Sequence, residues 1–130
     1  HTGDISLPKT LLLFDKLSVD LKGVFGNNDQ GEKEELLKVC KDKNFTFKEK
    51  LKIKISQSNF LFAVHDPNDI EDTFYKAGNI IVHGHTHRFR NEVYKDTAIF
   101  NPGECAGIMK GMNKIGIIDT VAPEMEIISF

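Results

Sequence analysis

The stretch Val82-His83-Gly84-His85-Thr86-His87 holds three of the chain's five histidines. They alternate, directly after the apolar run Asn79-Ile80-Ile81-Val82. In an extended segment, residues two apart point the same way. His85 and His87 are therefore expected to aim their imidazoles at one place, with Gly84 clearing steric room. Neutral imidazole is the commonest protein ligand for transition metals, and His and carboxylate sets suit Zn, Mn, Fe or Ni. So dense a run of histidine after a strand-like segment reads as a metal site rather than as a surface turn.

Similar loops recur along the chain. Apolar, strand-like runs end in short loops carrying Asn27, His65, and His85 with His87, and Asp4 sits in what looks like another strand-end loop. In layered α/β folds, ligands and catalytic groups gather at strand ends, where loops converge over a rigid sheet. One carboxylate, one amide oxygen and three imidazoles form a set suited to two divalent metals. Asp4 is the natural bridge, since a carboxylate has two oxygens and the charge to hold two cations close together.

The elements that position these residues follow from periodicity and turn chemistry. Apolar residues at Leu11, Leu13, Phe14 and Leu17, with Pro8 near the start, predict a helix over Lys9–Leu17. Val19–Phe25 reads as a strand stopped by Gly26-Asn27-Asn28-Asp29. Glu32–Lys43 reads as a surface helix with Leu36, Leu37 and Cys40 on one side. Phe45-Thr46-Phe47 and Leu51–Ile55 alternate like strands, and Asn59–Val64 suits a buried strand with Phe60 and Phe62 in the core. Pro67 and Asp69 open a predicted helix through Phe74 and Tyr75 to Ala77, closed by Gly78. Ile80–Val82 is a strand, Glu92–Tyr94 and Ala98–Phe100 a hairpin, and Lys114–Asp119 and Glu124–Phe130 two more strands. Helices alternate with strands early and strands dominate later, so an α/β sandwich with a mixed sheet is expected.

Taken in order, Gly3-Asp4, Gly26-Asn27-Asn28-Asp29, His65, Gly84-His85-Thr86-His87 and Asn101-Pro102-Gly103-Glu104 resemble the calcineurin-like metallophosphoesterases. The likeness is to the small single-domain phosphodiesterases of bacteria and archaea, and it covers essentially the whole chain. It implies a four-layer α/β/β/α sandwich of mixed sheets in one domain, residues 1–130, lacking the family's first strand. It also implies hydrolysis of phosphate esters by a dinuclear site, Mn or Ni foremost, that activates water as hydroxide. Carried over by position, Asp4 bridges the metals, Asn27, His65 and His85 complete one site, and His87 serves the other.

Three departures from the family pattern shape the expectations. The family's opening Asp-x-His precedes the point where this chain begins, at His1 with no Met, so upstream residues are expected to be missing. The 130 residues are therefore expected to hold one metal better than two, and to show impaired activity. Asn28 stands where many relatives carry a histidine that protonates the leaving group, so it is the candidate catalytic position, though an amide is no general acid. Asp66 replaces the usual glycine after His65, as a helix cap or a partner for a histidine, with capping favoured. His83 is expected to pack behind the site, and His1 is not expected to be a ligand.

Composition sets the remaining bounds. The chain has 40% hydrophobic and 28% charged residues and a net charge of −2, so nothing electrostatic points to nucleic acid or an anionic membrane. Its two cysteines, Cys40 and Cys105, form no CxxC pair, and Cys105 is expected to be buried and unreactive. A cytoplasmic protein acting on a small phosphodiester is expected, with homo-oligomers formed through exposed strand edges. The alternative is a catalytically inactive scaffold of the same fold, like the retromer subunit that uses it for protein contacts. Other metallohydrolases are less expected: a metallo-β-lactamase-type motif would place Asp-His where His87-Arg88 stands, and an amidohydrolase would carry its His-x-His at an early strand.

Overall fold

A computed structural model describes residues His1–Phe130. Pro8 opens α1 (Pro8–Leu11), and its missing N–H costs nothing in a first turn. The chain then tightens into a 3-10 helix, Leu12–Leu17, and stops at Ser18, whose φ is +52°. One predicted α-helix is thus two short pieces, and the strand predicted from Val19 shrinks to β1 (Lys22–Val24). A 3-10 turn over Asn27–Glu32 leads into α2 (Lys33–Lys43). Glu34 and Glu35 in its first turn and Lys41 and Lys43 in its last suit the helix dipole. Left-handed Asn44 ends it, donating its N–H to the Cys40 carbonyl.

Six strands follow before the last pair closes the chain. They are β2 (Thr46–Lys48), β3 (Leu51–Lys54), β4 (Phe60–Ala63), β5 (Ile80–Val82), β6 (Arg90–Tyr94) and β7 (Thr97–Asn101). The last two, β8 (Lys114–Asp119) and β9 (Glu124–Ser129), make an antiparallel hairpin. β1 pairs in parallel with β2. A mixed sheet runs β3-β4-β5-β7-β6, in which β4, β5 and β7 are parallel and the two edge strands antiparallel.

Period-two alternation sorts the core into layers. On one face of the mixed sheet, Phe62, Val64, Ile81 and Ile99 pack with Phe74, and the Phe62 and Phe74 rings stack at 4.2 Å. On the other face, Ala63 and Leu51 meet Val24 of β1, while Ile80, Ala98 and Phe100 meet Ile118 and Met125 of the hairpin. α2 then covers β1 and β2, burying Leu36 and Cys40 against Leu21, Phe25 and Phe47. Each fully buried Val, Leu, Ile or Phe among these contributes about 1.5–3 kcal/mol. The layers are therefore helix, strands, strands and a turn-rich outer cover.

That outer cover departs from expectation. The segment expected to form a helix to Ala77 forms two 3-10 turns, Pro67–Asp69 and Asp72–Phe74. Ile70 (ψ 120°) and Tyr75 (ψ 106°) are extended and interrupt it. The short segment uses those breaks to press Ile70, Phe74 and Tyr75 onto Phe62. Packing decides the geometry over helix propensity here. No helix is long and apolar enough to cross a membrane.

Candidate metal centre

β4, β5 and β7 are parallel and point their C-terminal ends the same way, so the loops after them emerge together, and the loop after β1 meets them through Asn27. They deliver Asn27, His65, His85 with His87, and Glu104 to one edge of the sandwich. Asp4 reaches the same edge from the N-terminal loop. Its φ is +57°, a strained value for a residue with a Cβ.

Asp29 holds that strain. It is fully buried, and its carboxylate accepts hydrogen bonds from the backbone N–H of Asp4 at 3.0 Å, Ser6 at 2.7 Å and Gly26 at 2.7 Å. One side chain thereby ties the Asp4 loop to the Asn27 loop. The Asp4 carboxylate is oriented in turn by Asn28, whose backbone N–H and side-chain amide each donate to it at 2.9 Å. Gly26 is required at this junction: a Cβ there would lie 2.6 Å from the Asp4 nitrogen and 2.7 Å from His65 Cε1.

Four donor groups meet beyond this clasp. His65 Nε2 lies 2.9 Å from Asn27 Oδ1, 3.2 Å from His85 Nδ1 and 3.5 Å from Asp4 Oδ2. His85 Nδ1 lies 3.1 Å from Asn27 Oδ1. Ligand atoms about 2.1 Å from a shared ion stand roughly 3.0–3.4 Å apart, so this spacing is that of a coordination shell. Histidines and acids alone form no cation cluster; the Asn27 amide oxygen closes the set. His65 Nδ1 donates to the Thr2 carbonyl at 2.8 Å, which leaves Nε2 a lone pair facing the cluster. Lone pairs outnumber hydrogens there, and a cation satisfies that arrangement. The residues present fit a divalent metal.

The two histidines of Gly84-His85-Thr86-His87 do not share a direction. β5 ends at Val82, and His85 and His87 both adopt left-handed φ, +62° and +55°. The extended alternation expected of them is absent, because the chain must turn sharply over the sheet edge. His85 turns to His65 and Asn27. His87 turns to Glu104, its Nδ1 lying 2.7 Å from Oε2. Both rings line a cleft of about 500 Å³ together with Asp4 and His65. Asn101, buried at the end of β7, braces this turn by donating to the Gly84 carbonyl at 3.0 Å and the Thr86 hydroxyl at 3.2 Å.

The neighbouring candidates take supporting places. His83 is buried, with Nδ1 3.0 Å from the Gly84 carbonyl and Arg90 3.3 Å from its Nε2, and burial lowers its pKa. Asp66 caps its 3-10 turn, accepting from the Asn68 N–H at 2.8 Å, and also lies 3.7 Å from His85 Nε2. His1 turns its ring to Phe14 and accepts from the Gly3 N–H at 3.2 Å. Cys105 is exposed, contrary to expectation, because the loop after β7 turns its side chain outward once Glu104 is buried. Two residues with large structural roles, Asp29 and Glu104, lie within the motifs but carry no task that the motifs themselves announce. The available signal is position: each is an acid that closes a short Gly-containing loop, and Asp29 stands two residues after the candidate ligand Asn27.

Residues 1–122 match the calcineurin-like phosphoesterase superfamily domain, and the chain belongs to that superfamily of metal-dependent hydrolases. It is 30% identical over 128 residues to phosphodiesterase MJ0936 of Methanocaldococcus jannaschii, a match covering 95% of this chain and 76% of the relative. A solved archaeal phosphodiesterase superposes with a TM-score of 0.79 at 27% identity, covering 98% of this chain and 79% of that one. The phosphoesterase YfcE of E. coli gives 0.61 at 20% identity, over 94% of this chain and 70% of that one. Vacuolar protein sorting 29 of Cryptosporidium parvum gives 0.59 at 16%, over 99% and 79%. These last two share the fold.

Proposed function

We propose that this chain hydrolyses small phosphodiesters at the Asp4, Asn27, His65 and His85 cluster. The mutual spacing of those donors, 2.9–3.5 Å, is the observation that carries the reading. They would hold one divalent ion, Mn or Ni, with Zn and Fe suited to the same donors. Asp4 and His87 would hold a second. A divalent ion bound in such a site polarises phosphoryl oxygens and lowers the pKa of water. Within residues 1–130 the first position draws on four groups and the second on two, so in a protein of this span the first is expected to bind its ion more tightly.

The protein's own residues set the rest. Asn28 donates one side-chain amide hydrogen to Asp4 and has no acidic proton for a departing alkoxide. Esters of acidic alcohols, such as aryl phosphodiesters, leave without that help and are the favoured substrates. Asp66 faces the free nitrogen of His85 and steadies its ring. The test is hydrolysis of an aryl phosphodiester by the Mn²⁺- or Ni²⁺-loaded protein, alongside His65→Ala. Turnover by the wild type and none by the variant supports the reading. No turnover with metal shown to be bound overturns it in favour of a scaffold.

A further inference from the structure

Glu104 is an unusual residue for its place. Its side chain is 1% exposed, at the end of a loop that otherwise reaches solvent. Burying a carboxylate is costly unless its oxygens are satisfied. Both are: Oε1 accepts from the Ile108 N–H at 2.8 Å, and Oε2 faces His87 Nδ1 at 2.7 Å. The loop's other hydrogen bonds hold it in register. Asn101 Oδ1 accepts from the Gly103 N–H at 2.9 Å, and the Glu104 carbonyl accepts from the Lys114 N–H at 2.7 Å. Gly103, at φ +109°, supplies the turn that swings Glu104 inward.

The pairing has one chemical consequence. A ring nitrogen that close to an ionised carboxylate carries the hydrogen, so the lone pair of neutral His87 resides on Nε2. Nε2 has no protein partner, and the ring lines the cleft it shares with Asp4. Carboxylates behind ligating histidines fix ring orientation and tautomer and raise donor strength. We propose that Glu104 is a positioning residue that holds His87 as its Nδ1–H tautomer and so sets the affinity of the metal position His87 serves. The metal half of this rests on the proposed phosphodiesterase site, and the tautomer half does not.

Two measurements separate the halves. In the metal-free protein at mildly alkaline pH, ¹⁵N–¹H correlation of the histidine rings reads the His87 tautomer directly. The expected result is Nδ1–H in the wild type and a shift toward the Nε2–H mixture in Glu104→Ala. An Nε2–H tautomer in the wild type overturns the proposal. Mn²⁺ titration then reads affinity. Glu104→Ala should weaken the looser site by about 10–100-fold and leave the tighter one unchanged. His87→Ala should abolish the looser site, with no further loss in the double variant. Equal loss from both sites, or none, in folded Glu104→Ala overturns the proposal. If that variant fails to fold, Glu104→Gln keeps the volume and an acceptor, and should give a smaller loss confined to the same site. Failure of the wild type to bind Mn²⁺ would refute the proposed site, while the ring spectra still decide the role of Glu104.

Discussion

The carboxylate of Asp29 accepts the backbone hydrogen of Asp4 at 3.0 Å, so a fully buried acid holds the main chain of a partly exposed one. The relationship is a division of labour. Asp29 spends its charge on three amides and is absent from the cleft lining, whereas Asp4 keeps its oxygens toward His65 and Asn28.

Asp29→Ala leaves those three N–H groups without their acceptor. Hydrogen bonds to charged groups contribute about 1.5–3 kcal/mol each, and neighbours on one carboxylate are not additive. The variant should lose at least about 2 kcal/mol of unfolding free energy, read from urea denaturation. A loss below roughly half of one kcal/mol would show that water replaces the carboxylate at little cost.

Gly26→Ala addresses the same junction differently. The backbone there has φ −110°, which any residue adopts, so conformational strain is not at issue. The new methyl group would crowd the Asp4 nitrogen and His65 Cε1. Mn²⁺ affinity should fall by more than tenfold while the circular dichroism spectrum stays that of the wild type. Unchanged affinity would mean that the two loops separate freely, contrary to the clasp described above.

Metal removal should act on activity and stability together. Chelation is expected to abolish diester hydrolysis, with Mn²⁺ restoring it. A ligand that binds only the folded state adds about 2.7 kcal/mol at a free concentration a hundred times its Kd. The melting temperature should therefore rise with added Mn²⁺ in the wild type and stay flat in His65→Ala. A rise in both would place the stabilising ion elsewhere.

The two thiols should part company. Cys40 is buried on the inner face of α2, and burial pushes its pKa up. Cys105 is exposed; partial desolvation and the charge of Glu104 raise its pKa as well. A raised pKa means less thiolate at neutral pH, so alkylation of Cys105 should be slow there and accelerate as pH climbs. Glu104→Gln should speed it. Cys40 should react only in denaturant. Two thiols reacting at one rate in the native protein would contradict the burial of Cys40.

The fold was legible where short-range rules suffice. Alternation marked β3, continuous apolar runs marked β4 and β5, whose residues are buried on both faces of the sheet, and helical spacing marked α2, each to within a residue or two. The segment after Pro67 was not, because its two 3-10 turns are shaped by Phe62 and Phe74, a contact that spacing along the chain does not encode. The candidate ligands stood out as polar residues at strand ends. Their directions did not: left-handed φ at His85 and His87 belongs to the turn over the sheet edge and breaks the alternation that two histidines at that spacing imply. The tasks of Asp29 and Glu104 are not legible in sequence, because an acid that bonds backbone amides or one distant ring leaves no periodic trace.

The donors of the cluster come from far-separated stretches. Asn27 meets His65 across 38 positions and His85 across 58. No shorter piece of the chain assembles them, so each must wait until β1, β4 and β5 are stacked. A cation seated among them would work as a knot tied after weaving, joining four loops that the backbone links only by long detours. Closing such detours is entropically expensive in an unfolded chain. The ion would therefore bind only once those strands are stacked, and its uptake would report in a refolding experiment that the loops have closed.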